Sequence, residues 1–238
     1  MTAGSSLDKD LSDETIVEMI HFLRPLWNVE AIARVASGTD LVASVDVQAS
    51  NGPLTTVLKV TTADHVAPET ARAEPRILSF VGRETSIPVP TVYGYCDEHA
   101  EYPTPFYLMS HVQGANYEGR VRSLSKTART EVLHEAGQNL AKLHMLGPLH
   151  KTGRIGVVDG ELTVLDTAEF PAYDSFHEWL LASYEDNVDT LASGGYFPDL
   201  ADDKARFADL VPSLQQYLRE TVPELPTSQP STYCHNDY

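Results

Sequence analysis

Cysteine is scarce. The chain has two in 238 residues, Cys96 and Cys234, and neither belongs to a Cys-x-x-Cys pair. A zinc or redox motif of that kind is therefore absent, and both thiols are expected to be reduced in a cytoplasm. Lysine is scarce too, with six residues, and Lys plus Arg total 17 against 34 Asp plus Glu, a formal net charge of −17. That imbalance argues against nucleic acid as a partner, because phosphate backbones are bound by basic surfaces. It argues equally against an anionic membrane surface. No apolar run approaches the ~20 residues that span a bilayer. The opening MTAGSSLDKD has neither the basic nor the apolar region of a signal peptide. These absences make a cytoplasmic location the expectation. The nine histidines are scattered rather than gathered with carboxylates, which disfavours a metal-dependent hydrolase. G-x-S-x-G does not occur, and no Ser-His-Asp arrangement can be placed.

What is present is an ordinary globular mixture, 42% apolar and 21% charged. The acidic residues are dispersed, not collected in a tail. Dispersed carboxylates with few lysines suit a protein working in a high-salt cytoplasm, where screening relieves self-repulsion. An ordinary acidic enzyme is the plainer alternative.

Periodicity divides the chain near residue 113. Ser12 can cap a helix in which Ile16, Ile20 and Leu23 recur at helical spacing, closed by Pro25. Ala43, Val45 and Val47 alternate with polar residues, then Ser50-Asn51-Gly52-Pro53 forms a turn and Leu54 to Val60 returns, a β-hairpin. A further strand is expected around Ile32 to Val35. A helix is expected over Arg72 to Val81, with Pro75 in its first turn. Strands are expected at Thr91 to Cys96 and Phe106 to His111. Beyond Gly114, helices are expected from Ser125 to Leu143, Ser175 to Leu191 and Asp202 to Thr221, with short β segments between the first two. The resulting fold class is α+β. The expected domains are a β-rich lobe over 1–113 and a helical lobe over 114–238.

Three positions carry potential chemistry. Lys59 interrupts the apolar strand Val57-Leu58-Lys59-Val60. It can be an edge-strand lysine that blocks aggregation, or a cation held rigidly above a bound anion. Glu74 follows fifteen residues later. It can be a first-turn carboxylate favoured by the helix dipole, or the ion-pair partner of Lys59, an arrangement that anchors phosphate in protein kinases. Gly38 lies in Ser37-Gly38-Thr39-Asp40, between two strands, where either a bare turn or a phosphate-covering turn would sit. At the other end, His235-Asn236-Asp237 can be a surface loop or Asx-turn, or the core of a kinase catalytic loop, in which the Asp accepts the proton of the attacking hydroxyl.

The ordered set VASGTDLVASVDV, TTVLKV, AEPRIL, IPVPTVYGY, PFYLMSHVQG, AGQNLAKLH and YCHNDY resembles the aminoglycoside phosphotransferase family, small-molecule kinases that share the bilobal protein-kinase fold and include choline- and macrolide-kinase-like enzymes. The resemblance implies ATP and Mg²⁺ as cofactors and a small-molecule hydroxyl as acceptor. It places Lys59 on the ATP phosphates with Glu74 paired to it and Gly38 in the covering turn. The segment from Met109 through His111 to Gly114 becomes the hinge beside adenine. Asp237 becomes the catalytic base, and His235 a member of its loop. The family's two Mg²⁺ ligands, an Asn and an Asp beyond the catalytic Asp, have no counterpart before Tyr238. The expectation is thus a C-terminally truncated, poorly active kinase with no metal ligand assigned. The alternative is a non-catalytic nucleotide-binding or interaction module.

The charge analysis predicts a salt response. Thermal melting followed from dilute buffer to molar KCl should show a rising midpoint. Equal stability at low salt would remove the high-salt reading.

Overall fold

The computed structural model describes residues 11–35, 40–62, 67–114, 120–147, 149–193, 201–226 and 232–233, without the side chains of 201–206. The chain falls into two compact units, Met1–Leu143 with Ile155–Thr163, and His144–Arg154 with Val164–Tyr238.

The first unit begins with α1 (Asp13–Leu23). The Ser12 hydroxyl accepts from the Thr15 N–H, and Asp13 and Glu14 occupy the first turn. Five antiparallel strands follow: β1 (Asn28–Val35), β2 (Leu41–Ala49), β3 (Gly52–Val60), β4 (Val92–Cys96) and β5 (Phe106–Ser110), in the spatial order β1-β2-β3-β5-β4. Helix α2 (Pro68–Glu84) connects β3 to β4.

Strict alternation decides the two faces of this sheet. On β2, Leu41, Ala43, Val45, Val47 and Ala49 are buried. The register sets Leu41 against Val60, Ala43 against Leu58 and Val45 against Thr56. It then sets Leu58 against Leu108 and Val60 against Phe106. All of these side chains therefore share one face, since side chains point alternately along a strand. Helix α1 covers that face with Ile16, Met19 and Ile20, which are wholly buried in the same cluster. Thr56 is the one polar residue buried there among those described, and its hydroxyl donates to the Val45 carbonyl at 3.1 Å. The opposite face carries Val42, Lys59 and Tyr107 in one row across three strands, and Ser44, Val57 and Met109 in the next.

Three local expectations change. First, the hairpin loop is Ser50-Asn51, and Gly52 is already the first residue of β3, with φ +121°. Glycine is needed there for its backbone angle, because open space surrounds it. Second, α2 starts at Pro68 rather than Arg72, so Pro68 is the residue at the helix start and Pro75 lies inside the helix. The interior proline donates no N–H; its own carbonyl accepts from the Ser79 hydroxyl at 2.8 Å. Third, the strand expected at Ile32 to Val35 extends back to Asn28.

Beyond the sheet, Ser125 caps α3 (Lys126–His144) by accepting from the Ala128 N–H at 3.2 Å. No α3 residue is buried, and Val132 and Leu133 of its apolar stripe are exposed. A second sheet of two strands, β6 (Ile155–Val158) and β7 (Glu161–Val164), turns through Asp159 and Gly160, both at positive φ. Helix α2 packs against β6. In the second unit, α4 (Phe176–Ser193) packs on α5 (Ala201–Thr221). Arg219 bonds Glu185 at 2.7 Å, and His177 donates to the Leu225 carbonyl at 2.8 Å. Among the described residues no helix is long and apolar enough to cross a membrane.

This face assignment has a direct test. Leu58→Ala opens a cavity in the α1-covered core and should cost about 2–5 kcal/mol in urea unfolding. Val35→Ala, at the exposed end of edge strand β1, should stay within about 0.5 kcal/mol. Equal costs would mean the wrong face has been taken as core.

Candidate functional site

Lys59 lies on β3, the middle strand of five, flanked by β2 and β5. The edge strands are β1 and β4, so the reading of Lys59 as an edge-protecting lysine does not hold. Its side chain leaves the sheet on the face opposite the α1 core. A charge on that strand must find partners or stay solvated, and here it finds two carboxylates. Its Nζ lies 2.9 Å from Glu74 Oε1 and 2.7 Å from Oε2. It also lies 3.3 Å from Asp40 Oδ2. Glu74 is the seventh residue of α2, not a first-turn residue; the acid of the first turn is Glu69. The helix-dipole reading of Glu74 therefore falls away, since that effect is confined to the first turn.

Glu74 reaches Lys59 because α2 is pinned to the end of β4. Arg76 makes a bidentate pair with Asp97 at 2.9 and 2.6 Å. Its guanidinium also lies 4.2 Å from the centre of the Tyr95 ring. One turn earlier, Arg72 bonds Glu98 at 2.7 Å. A planar guanidinium gripping both oxygens of a carboxylate fixes orientation as well as distance. The Asp97 hydrogen bonds hold the Arg76 pKa above its ordinary value, against a smaller loss from burial.

Asp40 comes from the other direction, immediately before β2, with Oδ1 3.3 Å from the Thr62 N–H. Of the side chains around Lys59, Glu74 is the more exposed, at 44%, against 21% for Lys59 and 18% for Asp40. Burial alone pulls the Lys59 pKa down. The Glu74 hydrogen bonds and charge, joined by Asp40, outweigh that and leave it above 10.5. Tyr107 is the register partner of Lys59 on β5. Its hydroxyl is buried and has no hydrogen-bond partner among the described residues. Burial first, then the charges of Glu74 and Asp40, raise its pKa far above the usual phenol range.

Met109 shares the Lys59 face, opposite Val57. His111 lies past the end of β5 and is exposed; its N–H donates to the Thr55 carbonyl at 3.3 Å, and its Nδ1 is 3.3 Å from Gln113 Nε2. Gly114 closes this segment at φ +154°. Gly38, His235 and Asp237 lie outside the described residues.

Asp40 and Tyr107 were not singled out from the sequence as site residues. Asp40 sat within a turn motif read for its glycine. Tyr107 lies in the expected strand Phe106 to His111 and belongs to no motif. Both become visible only through the β2-β3-β5 register.

Residues 32–238 match the model of the phosphotransferase enzyme family, APH. The chain belongs to that family. No curated protein matches it. In an APH protein, a phosphotransferase of kinase-like type, the Lys59 cluster is a cation on a rigid strand held by two carboxylates that differ in contact distance and exposure. That arrangement can present positive charge to an anion.

A pH titration of stability follows from the Lys59 shift. A folded pKa above the unfolded 10.5 means that the cluster's contribution is complete below 10.5 and disappears as pH rises through the folded value. The stability difference between wild type and Lys59→Met, measured by urea unfolding, should be constant from neutral pH to about 9 and shrink above 10.5. A difference that grows at alkaline pH would contradict the pairing.

Proposed function

We propose that the chain is an ATP-dependent phosphotransferase acting on the hydroxyl of a small molecule, working in the cytoplasm where ATP is supplied. The observation that carries this is the Lys59 ammonium, held by Glu74 from α2 on the central strand of the sheet in a phosphotransferase-family chain.

The residues fit a nucleotide as follows. Lys59 contacts and neutralises the phosphates, while Glu74 keeps the ammonium from following the ligand. Met109 lies two register positions from Tyr107 on the same face and, with the backbone leading to His111, borders the base. Asp237 orients the acceptor hydroxyl and takes its proton as the new O–P bond forms, with His235 supporting that loop. ATP supplies the phosphoryl group. Mg²⁺ is expected with it, but among the described residues no group of three or more His, Cys, Asp and Glu could hold a metal ion, so no step is assigned to it here.

Nucleotide binding by the 238-residue chain tests this reading apart from turnover. ATP with Mg²⁺ should raise the melting temperature of the wild type, and Lys59→Ala should weaken ATP at least about tenfold, the loss expected when a charge-assisted contact is removed. An ATP response that survives unchanged in Lys59→Ala would refute the assignment. Release of ADP in a coupled assay distinguishes a working kinase from a module that only binds the nucleotide.

A further inference from the structure

Asp40 touches the central cation but does not grip it as Glu74 does. A lysine ammonium has three N–H donors. Glu74 holds it with both oxygens, at 2.9 and 2.7 Å, and Asp40 Oδ2 stands at 3.3 Å from the same nitrogen. Two carboxylates therefore already flank the ammonium. A phosphate oxygen that approaches Lys59 competes with them for its donors.

We infer that Asp40 is a competing anion at Lys59, whose carboxylate occupies part of the ammonium and so weakens the binding of any phosphate group there. This rests on the nucleotide reading above. Three observations identify Asp40, not Glu74, as the group that yields. Its contact with Lys59 is single and the longest of the three. Its other oxygen already accepts from the Thr62 N–H, so the carboxylate keeps a partner after letting go of Lys59. Glu74, by contrast, grips with both oxygens from a helix pinned to β4 through Arg76 and Asp97. Tyr107, the register partner of Lys59 on β5, adds a buried hydroxyl that has no hydrogen-bond partner among the described residues. It can satisfy an oxygen freed when the cluster rearranges.

Like charge gives the direction of the effect. Asp40 and a bound phosphate would share one ammonium, and two anions at one cation repel. Asp40 thus lowers the affinity for phosphate-bearing ligands, and removing its charge should raise it. The fraction of molecules with Lys59 free sets the apparent affinity.

Calorimetric titration of the full chain with ATP, and separately with inorganic tripolyphosphate, tests this, each with Mg²⁺ and with EDTA. Asp40→Asn keeps an acceptor for Thr62 and should bind both ligands about three- to fivefold more tightly than wild type, the upper part of the range for a partly exposed ion pair. Asp40→Ser serves as the second variant if the first does not fold. Glu131→Gln, which removes an equal charge from the exposed surface of α3, should leave affinity within about twofold. The Asp40→Asn gain should vanish on a Lys59→Ala background. If wild type binds ATP and Lys59→Ala does not, but Asp40→Asn binds no better than wild type, the inference is overturned and the nucleotide reading stands. A gain that persists without Lys59, or one matched by Glu131→Gln, also overturns it. If neither wild type nor Asp40→Asn binds ATP or tripolyphosphate, both readings fail together.

Discussion

A single ammonium on the middle strand of an antiparallel sheet organises everything of functional interest in this chain. Lys59 cannot be left uncompensated beside apolar neighbours on β3, and its two compensating carboxylates come from opposite directions. Glu74 arrives on α2, which follows β3 in the chain. Asp40 arrives from the residue just before β2. The cation therefore ties α2 and the start of β2 to one point on a rigid surface.

The two faces of the sheet divide the work. One face is closed by α1, with Ile16, Met19 and Ile20 set into Leu58, Val60, Leu108 and Val45. Burial there supplies the driving force for folding. The other face carries Val57, Lys59, Tyr107 and Met109, a mixture that a core would not tolerate but an anion-binding surface can use. Alternation along β3 separates the two roles residue by residue, so a register slip of one position would exchange them. The Arg76–Asp97 and Arg72–Glu98 pairs belong to the same logic: they do no chemistry but keep the α2 carboxylate within reach of β3.

The strong negative charge sharpens the role of that ammonium. With 17 basic against 34 acidic residues, the surrounding field repels anions at long range. A phosphate ligand would depend on short-range contacts for its affinity. The balance among Glu74, Asp40 and Tyr107 around one nitrogen then decides how available that contact is.

Local patterns alone determined much of the first unit. The Ser12 cap with Ile16 and Ile20, the alternation of Ala43, Val45 and Val47, and the presence of a hairpin turn at Asn51-Gly52 each depend on neighbours within a few residues. For that reason they were legible, as was the ordered set of segments that marks the family. Tertiary structure decided the rest. Whether Lys59 stood at an edge or in the middle depended on β5 pairing with β3 across more than forty residues of chain, which no local periodicity encodes. The start of α2 is not local either: Pro75 alone suits a first turn, yet Pro68 holds that place and the helix bears a second proline inside. Asp40 and Tyr107 became part of the site only when three strands came into register, because charge and hydroxyl groups acquire roles from what lies across the sheet and not from what lies beside them in sequence.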